Sequence, residues 1–190
     1  GKTGTVLNVA GATLSVANQK VGVDFDGSTA EKLNLNFDTV GIAATTTPLA
    51  AATLITVDLA AGATANKATS FNITAKDAYV NLTENTSFAT TSATIAATGT
   101  NEIKFTDDAT TLTSVSVTGK GSVDLSGAAL IALKTLTAAD GGVTVNANGT
   151  VLETVTTGAG ADTITVLTAG LSATATINLG AGDDLLTLAA

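Results

Sequence analysis

The sequence predicts an all-β chain wound as a right-handed parallel β-solenoid with irregular coils of about 20 residues. Three observations carry this reading. One apolar column runs Val16, Leu35, Val57, Ile73, Ile95, Val117, Leu136, Val155 and Ile177, at steps of 16 to 22 residues. A second column, Val23, Val80, Ile103, Val123, Val143, Ile164 and Leu186, follows most of these and closes on steps of 20, 20, 21 and 22. The third is composition: 45% of the 190 residues are hydrophobic but only 3% aromatic, with 19 glycines against one proline. Small and branched side chains suit a slender cross-section, and the glycines suit frequent tight turns.

Each unit follows one grammar. Alternating residues such as Ser114-Val115-Ser116-Val117 or Thr154-Val155-Thr156 give way to a polar, glycine-rich bend. A second alternating strand follows, as in Val143-Thr144-Val145 or Ile164-Thr165-Val166. Period-two alternation marks strands with one face buried. Strands so short bury a core only when stacked on their neighbours. Parallel strands one circuit apart ladder at about 4.8 Å, so nine coils would give a rod of roughly 40 Å. The right-handed winding follows from the handedness of crossovers between parallel strands.

In order along the chain, residues 1–190 read as one solenoid domain, less regular over 1–70 and most regular over 71–190. The alternation Val6-Leu7-Asn8-Val9 opens the first coil. From Thr39 to Thr53, Gly41, an Ala/Thr-rich run and Pro48 disturb the period, which predicts a loop excursion; Ala60 to Ser70 reads as a second. Ala128 to Leu136 is the best helical stretch, but at nine residues it suits a bulging turn better than an independent helix. The chain closes on the apolar strand Leu185 to Ala190 with nothing after it to cap the stack, which calls for further chain or a neighbouring subunit. With Gly1 in first place and no Met anywhere, the sequence reads as a processed or excised part of a longer protein.

Charge and composition remove several function classes. Eight Lys and no Arg face sixteen acidic residues, a net charge of −8, which argues against nucleic acid and leaves divalent cations as partners. Without Cys there is no disulfide framework or thiolate zinc site, and without His the usual general base is missing. No pair of carboxylates or Ser-Lys couple stands out, so the sequence does not read as an enzyme. No apolar run approaches the ~18 residues of a membrane span.

The strongest chemical signal is a repeated turn. Gly158-Ala159-Gly160-Ala161-Asp162-Thr163-Ile164 and Gly180-Ala181-Gly182-Asp183-Asp184-Leu185-Leu186 both read G-x-G-x-D-x-U, where U is apolar, and the two aspartates are 22 residues apart. Glycines permit positive φ, and each aspartate offers carboxylate oxygens before a strand begins. If 22 residues is one circuit, the two turns stack. A plain Asp-capped turn would use the same residues. Gly119-Lys120-Gly121 and Asp140-Gly141-Gly142 hold the same bend in earlier coils, although Lys120 there replaces a carboxylate.

These turns, between Thr157 and Leu188, resemble degenerate copies of the G-G-x-G-x-D-x-U-x nonapeptide of the RTX (repeats-in-toxin) proteins, which form β-rolls and bind calcium between successive turns. The resemblance implies calcium held by Gly158, Gly160, Gly180 and Gly182 through backbone carbonyls and by Asp162 and Asp184 through carboxylates. Here the copies stand 22 apart instead of in tandem, and Thr157 and Leu179 replace the first glycine. Beyond these turns, the acidic, Cys-free composition rich in Thr, Ala, Gly and Asn is similar to that of bacterial surface-layer (S-layer) proteins and large repeat adhesins. This second resemblance implies a secreted structural protein at the cell surface that self-assembles into a lattice or filament fastened by calcium. A cell-surface glycan is a further candidate partner. The alternative is an adhesin stalk or a β-roll module of a larger secreted protein.

Two weaker patterns complete the reading. Asp24-Phe25-Asp26-Gly27-Ser28 with Glu31 resembles the start of an EF-hand loop but lacks its twelfth-position glutamate and flanking helices; it and Asp107-Asp108 read as acidic bends. Thr-x-Thr pairs starting at 111, 135, 154, 163 and 174 suggest a threonine ladder, the feature of ice-binding solenoids, although Thr also favours any solvated strand face.

Overall fold

Alternation of branched apolar and small polar residues leaves the backbone little choice but extended strands, and those strands are too short to stand alone. In the computed structural model, which describes residues 4–6, 13–25, 30–46, 49–59, 67–83, 90–106, 110–127, 130–149 and 152–189, they stack as a parallel β-solenoid. There is no α-helix among the described residues; Thr168–Gly170 form a 3-10 turn. Among the described residues, no helix is long and apolar enough to cross a membrane.

The coil has two sides. Sheet A ladders β1 (Gly4–Val6), β3 (Val23–Phe25), β7 (Ile55–Asp58), the second part of β8 (Ser70–Thr83), β10 (Thr100–Phe105), β12 (Ser122–Asp124), β14 (Val143–Ala147), β16 (Thr163–Leu167) and β18 (Leu185–Ala189). Sheet B ladders β2 (Thr13–Ala17), β4 (Lys32–Val40), the first part of β8, β9 (Ser92–Thr98), β11 (Ser114–Gly119), β13 (Thr135–Ala138), β15 (Leu152–Thr156) and β17 (Leu171–Asn178). Every pairing in both ladders is parallel. Eight strands in sheet B make seven circuits, several of them 22 residues long, as in Ser70↔Ser92 and Ser92↔Ser114.

Inward side chains of the two sheets meet in one core. Leu33, Leu35, Phe37, Ile73, Ile95, Val117 and Val155 enter it from sheet B; Val57, Leu82, Ile103, Val145 and Ile164 enter from sheet A, and all are buried. Phe71 and Phe105 stack across it with ring centroids 6.4 Å apart.

The corner from sheet B to sheet A is made by left-handed residues. Asn18, Thr39, Asp77 and Gly99, with φ of 55°, 57°, 48° and 69°, directly follow the in-register residues Ala17, Asp38, Lys76 and Thr98. They bend the chain so sharply that β8 serves both sheets without a loop. A threonine or aspartate pays a steric cost at positive φ, and Asp77 offsets part of it by accepting the Thr100 N–H from the next coil at 3.2 Å.

The excursion read at Thr39 to Thr53 begins later, because Thr39 and Val40 still belong to β4. Strands β5 (Thr45–Thr46) and β6 (Leu49–Ala50) pair antiparallel, and Ile42 and Thr53 exchange backbone hydrogen bonds of 2.9 and 2.7 Å that close its neck. Most of the second excursion, residues 60–66, lies outside the described residues. The helical stretch at Ala128 to Leu136 has no helix among its described residues: Ile131 and Ala132 turn, and β13 begins at Thr135. The two apolar columns prove to be composites. Leu14, not Val16, pairs with Leu35, and Val57 belongs to sheet A against Val23 and Leu82. Val117 pairs with Ala138, so the step to Leu136 moves to the adjacent inward position.

Candidate functional site

The two glycine-aspartate turns join β15 to β16 and β17 to β18, and they stack. Thr163 pairs with Leu185, which sets Asp162 against Asp184 one residue earlier and Gly160 against Gly182 two residues before that. The Ala181 N–H donates to the Gly158 carbonyl at 2.8 Å, Thr157 N–H to the Asn178 carbonyl at 2.9 Å, and Leu185 N–H to the Asp162 carbonyl at 2.7 Å. The Thr157 hydroxyl donates to the Leu179 carbonyl at 2.7 Å. Gly180 and Gly182 have φ of 80° and 135°, and a Cβ on either would strike the carbonyl oxygen of Gly158 or Gly160 beneath it. Glycine is required here because backbone rests on backbone.

The aspartates act on the coil below. Asp184 Oδ1 accepts the Asp162 N–H at 3.0 Å, and Asp162 Oδ1 accepts the Val143 N–H at 2.8 Å. Asn101 does the same three coils earlier, with Oδ1 accepting the Ala78 N–H at 3.0 Å. All three start a sheet A strand at the same inward position, each two residues after a glycine: Gly99-Thr100-Asn101, Gly160-Ala161-Asp162 and Gly182-Asp183-Asp184. Gly121-Ser122-Val123 and Gly141-Gly142-Val143 fill the coils between, with an apolar residue in the capping place. Sequence reading missed Asn101; the G-x-[N/D] tripeptide before a strand was the signal that would have found it.

One atom in this column is unanswered. Asn101 is 1% exposed and fully satisfied, since Nδ2 donates to the Thr98 and Ser122 carbonyls at 3.1 Å each. Asp162 is 0% exposed, and its Oδ2, which takes the place of that amide donor, has no hydrogen-bond partner. A buried carboxylate oxygen facing no donor is costly unless a proton or a cation meets it.

Calcium takes six to eight oxygens at about 2.3–2.6 Å. No group of three or more acidic side chains converges among the described residues. An ion at these turns would therefore draw on the Asp162 and Asp184 carboxylates together with backbone carbonyls, of which that of Gly158 already accepts a hydrogen bond. Asp183 is exposed beside them. The EF-hand-like stretch is only partly described: Asp24 lies in β3 beside Asp58 of β7, and residues 26–29 are outside the described residues, as are Asp107 and Asp108.

The threonine pairs do form ladders, in a different register. Thr135, Thr154 and Thr176 align, with Thr174 displaced by an irregularity between Leu152 and Thr154. Ser70, Ser92 and Ser114 extend that row, and Thr94, Ser116, Thr137 and Thr156 form a second beside it.

No protein-family model, curated protein or solved structure matches the chain.

Proposed function

We propose that this chain is a secreted structural solenoid that assembles at a cell surface into a lattice or filament, with calcium fastening its last turns. The observation that carries the reading is the buried Asp162 carboxylate in the stacked glycine-aspartate turns, whose Oδ2 meets no donor. The unanswered Oδ2 of Asp162 supports the calcium element, because a divalent cation there would also neutralise the Asp162 and Asp184 carboxylates. Electron microscopy of the purified chain tests the reading. Ordered polymers with calcium and dispersed particles with chelator are expected, and dispersed particles in both would overturn it.

A second reading has one observation in its favour. The in-register Ser and Thr rows of sheet B give a flat hydroxyl face suited to ice or another ordered surface. It predicts thermal hysteresis that Thr154→Leu and Thr156→Leu abolish; a chain without hysteresis dismisses it.

A further inference from the structure

We propose that the N-terminal corner of sheet B's outer face is a saccharide-binding groove that takes a short, uncharged glycan segment. This rests on the cell-surface reading above and names a partner for it. A cavity of about 310 Å³ lies there across four successive rungs, β2, β4, β8 and β9. That is the small end of the ~300–1,000 Å³ range of ligand sites. One side is the in-register column Ala17, Asp38, Lys76, Thr98, and the other is Ser15, Asn36, Thr74. Each member of the first column directly precedes a left-handed corner residue, so the rim is fixed by the same bend that folds the coil.

The lining chemistry selects the ligand. Lys76 Nζ lies 3.1 and 3.4 Å from the two oxygens of Asp38, and the Thr39 hydroxyl donates to that carboxylate at 2.8 Å. The two charges in the groove therefore cancel. An anion would meet a chain of net charge −8, and a cation would find the carboxylate already paired. What remains is a neutral ligand rich in groups that both donate and accept. The Asn36 amide, the Ser15, Thr74 and Thr98 hydroxyls and the Asp38–Lys76 pair supply both kinds of partner, and Asn36 Nδ2 already donates to Ser15 Oγ at 3.1 Å. Between the columns the hydrogen-bonded backbone at Val16, Phe37 and Ala75 forms the floor, and the Ala17 methyl at the rim offers an apolar contact to the C–H face of a sugar ring. A peptide adding as a strand needs a free sheet edge, whereas this groove lies on a sheet face.

The test is a titration of the ¹⁵N-labelled chain in chelator with glucose, galactose and N-acetylglucosamine and with their oligomers, followed by amide chemical shifts. Saturable shifts confined to Ala17, Asp38, Lys76, Thr98 and their neighbours are expected with at least one probe. Thr74→Tyr, an exposed change that fills the groove, should weaken binding by at least about tenfold. Thr156→Tyr, on the same face beyond the groove, should leave it intact. Circular dichroism checks that both variants fold. No saturable shift with any probe, shifts that survive Thr74→Tyr, or shifts produced only by an extended peptide would each overturn the proposal. The titration reads dispersed chains, so it stands or falls separately from polymer formation, and Thr74→Tyr should still polymerise with calcium.

Discussion

Asp162 lies directly under Asp184, one circuit and 22 residues away, and its backbone N–H donates to the Asp184 carboxylate at 3.0 Å. Each acidic side chain thus ties its own coil to the one before it, in the manner of Asn101 over Ala78. A cap of this kind satisfies a backbone donor that the start of a short strand leaves unpaired.

The comparison with Asn101 predicts opposite outcomes at Asp162. Asp162→Asn restores a donor where Oδ2 has no partner, so in chelator the variant should resist urea at least as well as the parent. Asp162→Ala strands the Val143 N–H and should cost roughly 1–3 kcal/mol. Calcium titration of Asp162→Ala with Asp184→Ala then separates cap from ligand: unchanged affinity in the double variant would mean that no ion sits at these turns.

Glycine in the stacked turns is a steric requirement. Gly182→Ala forces a Cβ against the Gly160 carbonyl at φ 135° and should lose roughly 1–3 kcal/mol in urea unfolding. Gly127→Ala, where the new Cβ would touch only the Lys104 side chain at 3.4 Å and beyond, should change stability by less than about 0.5 kcal/mol.

Two carboxylates give stability opposite slopes with pH. Glu102 faces Asp124 across the sheet A ladder, and burial, then that neighbouring charge, raises its pKa above the ordinary 4.5. The folded state holds this proton more tightly than the unfolded chain, so the Glu102 carboxyl weakens stability as pH rises from 4.5 through the raised value. Glu102→Gln should remove that loss and gain roughly 0.2–1 kcal/mol at neutral pH. Asp38 runs the other way: the Thr39 hydroxyl and Lys76 lower its pKa below the ordinary 3.8, so its contribution is present above that value and fades as pH falls through the lowered one. Urea midpoints of the parent, Glu102→Gln and Asp38→Asn between acid and neutral pH check both signs.

The exposed leucines of β18 give a prediction for assembly. Leu186→Lys and Leu188→Lys place charge on that face, and should abolish polymers while leaving thermal unfolding of the dispersed chain nearly unchanged, because both positions are already exposed. Ile95→Ala, at a buried position, should instead cost about 2–5 kcal/mol. Polymers that persist in both lysine variants would remove β18 from the assembly surface.

The period was legible because small apolar residues recur wherever a strand turns one face inward, and the two-sheet coil follows from that recurrence. Exact register was not. A strand offers inward positions two residues apart, so Val117 leads to Leu136 as easily as to Ala138, and only the backbone ladder decides. The stacked glycine-aspartate turns were legible from their spacing. That their aspartates point into the coil, and that Asn101 belongs with them, depends on the corner geometry of successive coils, which a motif written around acidic ligands does not describe. The groove at Asp38 and Lys76 escaped notice because its members lie 21 to 38 residues apart and share only a register.

The excursion between Val40 and Ile55 leaves and re-enters the coil through one neck, where Ile42 and Thr53 hold each other and Gly41 N–H reaches the Gln19 carbonyl at 2.8 Å. None of the rungs around it pairs with β5 or β6: β4 pairs with β2 and β8, and β7 with β3 and β8. Lengthening a flexible loop costs only about 0.6 kcal/mol per doubling. The excursion that carries β5 and β6 is therefore a socket, a place where foreign sequence can be inserted without altering the winding of the coil.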